Sequence, residues 1–138
     1  MENVNDFNKK IIAEFRANDG QVGGQFANTS LLLLNTIGAK SGQPRTNPVA
    51  YTTDGDQLVI IASKGGAPTN PDWYYNVKAN PLVAVERGSE KFQARAVIAE
   101  GAERNRLFNQ MAEIMPGFAD YQRNTDRQIP VITLERVT

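Results

Sequence analysis

Two cations lie on a short glycine-containing connection between two apolar runs. The connection spans residues 38–45 and carries Lys40, Ser41, Gly42 and Arg45. Glycine lets a backbone turn sharply and approach a ligand closely. Fixed positive charge beside the N–H groups of a turn suits a phosphate or a carboxylate. The pattern favours an anion site, and a solvated turn with incidental charge is the alternative.

A second segment, residues 62–76, repeats this composition after another apolar run. It has a hydroxyl at Ser63, a cation at Lys64, a pair of glycines and the only tryptophan of the chain, Trp73. Trp73 and Asn76 are three residues apart on a predicted short helix and therefore share a face. Trp73 could wall a planar ring while Asn76 donates to a polar group. The equally weighted alternative makes Trp73 a core anchor and Asn76 a solvated helix residue.

Two absent residue types narrow the chemistry. The chain of 138 residues has no cysteine and no histidine. Disulfides, thiolate nucleophiles and cysteine-ligated metals are therefore excluded, and the commonest general base is missing. An enzyme built from this chain is expected to rely on a bound organic cofactor. With 15 basic and 15 acidic residues, the charge balance gives no argument for nucleic-acid binding, so an anion site must be local.

The elements that must position these segments follow from the apolar patterning. Strands are predicted at residues 31–35, 46–53, 57–62, 82–86, 91–99 and 130–137, and helices at 6–17, 72–78, 102–115 and 118–123, with a loop at 21–29. Hairpin connections without alternating βαβ units predict one α+β domain over residues 1–138. Its architecture is a barrel of about six mainly antiparallel strands with peripheral helices.

The chain has no apolar run long enough to span a bilayer and no signal-peptide pattern at its start. A cytoplasmic location is expected. The amphipathic helix at residues 6–17 packs on the barrel in the favoured interpretation and touches a membrane surface in the alternative. A homodimer is left open.

Several motifs follow one another at fixed spacing along most of the chain. They are Gly38-x-Lys40-Ser41-Gly42-x-x-Arg45-x-x-Pro48-Val49, Ala62-Ser63-x-Gly65-Gly66, Pro71-x-Trp73-Tyr74-x-Asn76, Ala79-Asn80-Pro81 and Tyr121-Gln122-x-x-Thr125-x-Arg127-x-Ile129-Pro130-Val131. Over residues 31–137 this series resembles the deazaflavin-dependent nitroreductase family, including its quinone and enone reductases that use reduced coenzyme F420.

The resemblance implies a split β-barrel that binds coenzyme F420, a deazaflavin with a phospholactyl-oligoglutamate tail. By position, the tail ligands would be Lys40, Ser41, Gly42 and Arg45, with Asn76 near the phospholactyl linker. The pocket around the ring would contain Pro48, Ala62, Ser63, Lys64 and Trp73. FMN in the same barrel is the alternative cofactor, because a flavin phosphate is also anionic.

The resemblance also locates a substrate wall near the C-terminal helices, at Met115, Phe118 and Tyr121. The family uses aromatic hydroxyls there, and only Tyr121 keeps one. The expected reaction is hydride transfer from the reduced deazaflavin to a small conjugated acceptor: an enone, a quinone or a nitroaromatic. Tyr121, Ser63 or water would supply the proton. A non-catalytic coenzyme-binding module is the alternative function.

Overall fold

In the computed structural model of this chain, residues 4–24 and 30–137 are described. The helices are α1 (Val4–Ala17), α2 (Asp72–Ala79), α3 (Gly101–Ile114) and α4 (Gly117–Arg123). The strands are β1 (Leu31–Ile37), β2 (Pro44–Asp54), β3 (Gln57–Ile61), β4 (Leu82–Arg87), β5 (Glu90–Ile98) and β6 (Val131–Val137). Each predicted helix and strand is present within a few residues of its expected bounds. Of the predicted loop at 21–29, residues 25–29 lie outside the described residues.

The strands form a closed antiparallel barrel in the order β1-β2-β3-β6-β5-β4. The glycine-containing connection that carries Lys40 joins β1 to β2. The pairing of these strands runs from Leu31 opposite Ala50 to Ile37 opposite Pro44. The pairing therefore places the anion-binding candidates in and beside the connecting turn of a regular hairpin. The predicted α+β barrel is confirmed.

Alternate residues of each strand point into the barrel, because successive side chains of a strand face opposite sides. The buried interior includes Leu32, Leu34, Val49, Leu58, Ile60, Val83, Val85, Ala94, Ile132 and Leu134. Trp73 and Val77 of α2 pack into the same cluster. A helix reaches a barrel interior only through an open end, so α2 closes one end and lies beside the β1–β2 connection.

Two separate helical layers cover the outside of β1, β2, β3 and the start of β6. α3 and α4 pack over β3 and β6, around Val59, Val131 and Met111. α1 covers β1 and β2, where Phe15 packs with Leu33. Ala50 contacts both layers. The outer face of β2 therefore lies between α1 on one side and the α3–α4 pair on the other.

A two-pronged ion pair fixes α1 on the barrel. Arg16 donates to the two carboxylate oxygens of Glu86 at 3.0 and 2.8 Å, and Asn35 Nδ2 donates to the same carboxylate at 2.9 Å. Ile11 and Phe15 are buried beneath the helix. The apolar stripe of α1 therefore packs on the barrel, as favoured from the sequence. Among the described residues, no helix has the length and apolar character needed to cross a membrane.

Candidate functional site

A cleft of about 960 Å³ opens where α1, α2 and the β1–β2 connection meet. Among the polar and charged side chains that line it are those of Lys9, Lys40, Ser41, Arg45, Asp72 and Asn76. Three of these are cations and one is a carboxylate. The cleft is therefore locally basic on a chain whose formal net charge is zero.

The turn that forms the centre of this cleft has a glycine at each end of its hydrogen-bonded backbone. Gly38 N–H donates to the Gln43 carbonyl at 2.8 Å, and Gly42 N–H donates to the Gly38 carbonyl at 2.9 Å. Gly42 has a φ of +69°, a backbone conformation that residues with a side chain rarely adopt. A Cβ on Gly38 would lie 2.5 Å from Ser41 Oγ. The turn thus folds tightly on itself and holds the hydroxyl of Ser41 over Gly38.

Two backbone donors of the turn remain available to a ligand. Gln43 N–H donates to Ser41 Oγ at 3.2 Å, and Ala39 N–H donates to the side chain of Asn76. The N–H groups of Lys40 and Ser41 have no partner within the described chain. They accompany the Ser41 hydroxyl and the cationic ends of Lys40 and Arg45. This donor set fits a phosphate or a carboxylate.

Asn76 connects the turn to the helix that closes the barrel. Its Oδ1 accepts from Ala39 N–H at 2.8 Å, and its Nδ2 donates to Thr36 Oγ1 at 3.0 Å. Asn76 and Thr36 are both buried. The amide lines the cleft, but its main contacts fix the turn. Asn76 is therefore not a solvated helix residue, which was the alternative interpretation of the sequence.

Trp73 lies in the barrel interior and is 6% exposed. This is the core-anchor arrangement, which leaves little of the indole for a ligand. Ala62 is also inside the barrel and fully buried, whereas Pro48 lies half-buried on β2 opposite Leu33. Of this part of the expected ring pocket, only Pro48 offers substantial side-chain surface.

The segment after β3 is held close to α4. It contains a short 3-10 turn, Lys64–Gly66, and Gly66 has a φ of +84°. A Cβ on Gly66 would lie 3.1 Å from the Tyr121 carbonyl oxygen. Lys64 is exposed and donates to Thr69 Oγ1 at 3.1 Å. Glycine here allows the close approach that brings Ser63 and Tyr121, two predicted site residues, into one region.

Arg127 ties this segment together through backbone carbonyls. Its guanidinium donates to Ala67 O at 2.9 Å, Ser63 O at 2.8 Å and Asn70 Oδ1 at 2.6 Å, with longer contacts of 3.3 Å to Ala62 O. Burial lowers the pKa of Arg127 from its usual value. In the sequence, Arg127 stands out only as one position of a longer motif. Its role depends on partners about 60 residues away, which no local pattern reveals.

A buried arginine, Arg104, supports the chain around the half-buried Arg127. Arg104 donates to the Ile129 carbonyl at 2.7 and 3.1 Å and to Gln122 Oε1 at 2.8 Å. Gln122 in turn donates to the Arg127 carbonyl at 2.8 Å. Burial lowers the pKa of Arg104. These bonds fix the segment between α4 and β6 from which Arg127 extends.

The three expected substrate-wall residues lie on or beside α4. Phe118 is buried, and its ring meets that of Tyr121 edge to face with centroids 5.6 Å apart. Met115 packs against the same α3–α4 cluster and also lines a cavity of about 330 Å³ beside Ile114 and Tyr51. The Tyr121 hydroxyl has no hydrogen-bond partner within the described chain. It is therefore available to a bound molecule.

Comparison with known proteins identifies the family. The model of the F420H(2)-dependent quinone reductase family matches residues 8–136. The chain belongs to this family. An F420H(2)-dependent quinone reductase of Mycobacterium tuberculosis is 40% identical over 128 residues, which are 90% of this chain and 86% of the relative. The predicted family, oxidoreductase class and coenzyme F420 are confirmed, and FMN becomes the minor alternative.

Solved structures agree with this assignment to the F420H(2)-dependent quinone reductases. An F420-H2-dependent reductase, FDR-A, aligns with a TM-score of 0.71 and 41% identity over 77% of this chain and 94% of its own. A structure described as a domain-swapped dimer aligns with a TM-score of 0.73 and 34% identity over 96% of this chain and 100% of its own. HutZ, a heme storage protein from Vibrio cholerae, shares the fold at 17% identity and a TM-score of 0.60, over 92% of this chain and 88% of its own.

Proposed function

We propose that this protein reduces a small conjugated acceptor, such as a quinone, an enone or a nitroaromatic, and that residues 38–45 hold the acidic tail of coenzyme F420. The observation that carries the proposal is the donor set of the cleft. It combines two free backbone N–H groups, the Ser41 hydroxyl and the unpaired cations Lys40 and Arg45. Charge-assisted contacts of this kind contribute about 1.5–3 kcal/mol each.

The bound reduced coenzyme supplies a hydride. Lys40 and Arg45 would neutralise the tail, while the Lys40 and Ser41 N–H groups orient its phosphate. Asn76 would act through the turn by keeping it in the shape that exposes those two donors. Since Arg127 and Gly66 hold the segment after β3 against α4, they would keep Ser63 and Tyr121 at fixed positions beside the ring.

The proton that completes the reduction is proposed to come from Tyr121, with Ser63 or water as the alternatives. Tyr121 is half-buried and its hydroxyl is unpaired within the described chain. Ser63 is 9% exposed, and its Oγ also has no partner there. No deeply buried polar side-chain atom of the described residues lacks a partner, so Ser63 Oγ must retain access to the surface. Both hydroxyls can therefore meet a ligand.

The test is a spectroscopic turnover assay. The protein is mixed with reduced coenzyme F420 and, in separate reactions, with a quinone, an enone and a nitroaromatic. Recovery of the oxidised deazaflavin absorbance at a rate proportional to protein concentration is expected with at least one of them. Binding of the coenzyme without turnover of any acceptor would favour the non-catalytic module instead. In parallel fluorescence titrations, coenzyme F420 should bind more tightly than FMN.

The proposal extends to a homodimer. Leu82, Val97 and Val137 are exposed on β4, β5 and β6, away from the helices that cover β1, β2 and β3. A relative 34% identical to this chain is described as a domain-swapped dimer. Light scattering coupled to size-exclusion chromatography should give twice the monomer mass, and a monomer mass at all concentrations would contradict it. A cytoplasmic location stays a prediction.

A further inference from the structure

The amino-terminal helix forms one wall of the anion cleft. Asn8, Lys9 and Ile12 of α1 line it together with the β1–β2 turn. Positions 8, 9 and 12 lie close together on a helix surface, because residues three and four apart are neighbours. The adjacent face of α1 carries Ile11 and Phe15, which are buried on the barrel. The same helix is therefore anchored by one face and open to the cleft by another.

Lys9 is an unpaired cation in this wall. It is exposed and has no ion pair or hydrogen bond within residues 4–24 and 30–137. Arg16, Arg106 and Arg136 are instead paired with carboxylates. Lys9 thus shares with Lys40 and Arg45 the combination of a cleft position and a charge that no partner neutralises.

The position of Lys9 is set by the docking of α1. Lys9 is two residues from the buried Ile11, and the helix is fixed further along by the pair between Arg16 and Glu86. A cation on an ordered helix has less conformational freedom to lose on binding than one on a loose terminus. The docking of α1 on the barrel therefore holds Lys9 at the wall of the cleft.

The chemistry of Lys9 differs from that of the turn. The turn offers several converging donors, which suits a phosphate with its several oxygens. An ammonium is a compact point charge without fixed directions, and a single carboxylate is enough to satisfy it. We propose that Lys9 binds a glutamate carboxylate of the coenzyme tail, so that α1 adds to the preference for tailed over tail-less deazaflavin that Lys40 and Arg45 provide. This inference rests on the proposed function.

The experiment measures binding by deazaflavin fluorescence, with no acceptor present. Coenzyme F420 with its oligoglutamate tail is compared with the tail-less deazaflavin riboside at low salt. Lys9→Ala should weaken binding of the tailed coenzyme by about threefold to tenfold, as expected for one partly exposed charge contact. Binding of the riboside should not change. Lys9→Arg should restore most of the affinity. A parallel titration in 0.5 M salt, where the Debye length is about 4 Å, should reduce the difference in affinity between the unaltered protein and Lys9→Ala.

Matched variants separate the possible failures. Arg95→Ala removes an exposed cation of β5 outside the cleft and should bind as the unaltered protein does. If Lys40→Ala and Arg45→Ala weaken tailed binding but Lys9→Ala does not, the inference is overturned and the proposed function stands. Equal weakening of both ligands by Lys9→Ala would also overturn it, because that points to displacement of α1. If the unaltered protein fails to bind the tailed coenzyme, the proposed function fails and takes the inference with it.

Discussion

At the scale of single residues, the amide of Asn76 links the barrel-closing helix to the anion-binding turn. Asn76→Ala would leave Ala39 N–H and the buried Thr36 hydroxyl without their partner. We expect a loss of about 1–3 kcal/mol in the free energy of unfolding and weaker coenzyme binding, because the turn loses its support. Denaturant unfolding and fluorescence titration measure the two effects. Asn80→Ala, at an exposed position just beyond α2, is the control; unchanged affinity in Asn76→Ala would contradict the role.

Arg127 gives a second residue-scale prediction, on the side of the predicted ring pocket. Arg127→Lys keeps the charge, but a single ammonium cannot reach Ala67 O, Ser63 O and Asn70 Oδ1 together. Turnover should fall about tenfold or more while affinity for the coenzyme tail changes little, because none of the hydrogen bonds that Arg127 donates goes to the turn at residues 38–45. Hydrogen exchange over residues 62–70 should rise.

The comparison variant for Arg127 is Arg123→Lys, which alters an exposed arginine paired with Asp120 on α4. It should leave both turnover and exchange unchanged. A fall in tail affinity equal to the fall in turnover would show that Arg127→Lys disturbs the whole site rather than the segment after β3.

The sequence predicts those parts of the site whose residues are close together along the chain. The cations and glycines of residues 38–45 indicate an anion site because one short segment contains all of them. The contacts of Asn76 with Thr36 and of Arg127 with Ala67 join residues 40 and 60 positions apart. Their roles depend on how the barrel closes, so neither could be assigned before the fold was known. The core position of Trp73 is likewise a consequence of α2 closing the barrel end.

At the scale of elements, the strands and helices were predictable because their apolar periodicity is strong and their turns carry glycine or proline. Which helix covers which strand was not, since several amphipathic helices suit the same sheet face. The placement of α1 is decided by partners distant in sequence, which include Leu33 on β1, packed against Phe15, and Glu86 on β4. That dependence makes the docking of α1 sensitive to pH.

Acid should loosen α1 through Glu86. The hydrogen bond from Arg16, followed by that from Asn35, holds the pKa of Glu86 below its usual value of 4.5. A carboxyl whose pKa is lowered by folding stabilises the protein above the unfolded value and loses that contribution as pH falls through the folded value. Because Arg16 is half exposed, we expect only about 1 kcal/mol. Unfolding at pH 7 and at pH 3 measures it.

The matching variant is Glu86→Gln, which should lower stability at pH 7 and reduce its change between the two pH values. Glu90→Gln removes an exposed carboxylate paired with Arg136 and should have a smaller effect. An unaltered pH dependence in Glu86→Gln would show that the ion pair with Arg16 does not hold the helix.

At the scale of the whole molecule, a chain with balanced charge places three cations without a carboxylate partner among the described residues around one cleft: Lys9, Lys40 and Arg45. Outside the cleft, Arg16, Arg106 and Arg136 are paired with carboxylates, whereas others such as Arg95 are not. The cleft therefore attracts a polyanion, although the net charge of the protein provides no long-range attraction. One acidic side chain opposes this arrangement. Asp72, in the first turn of α2, lines the same cleft.

Asp72→Asn should consequently tighten binding of a tailed deazaflavin. Removing one like charge from the cleft is expected to raise affinity for coenzyme F420 by about twofold to fivefold at low salt, and screening should reduce the gain at high salt. The tail-less riboside should bind unchanged, because it lacks the acidic tail that Asp72 would repel. Asp56→Asn neutralises an exposed carboxylate outside the cleft and should alter neither affinity. If Asp72→Asn instead weakened the tailed coenzyme, Asp72 would be accepting hydrogen bonds from the amide groups of the tail, and the cleft would recognise the peptide backbone of the tail as well as its charge.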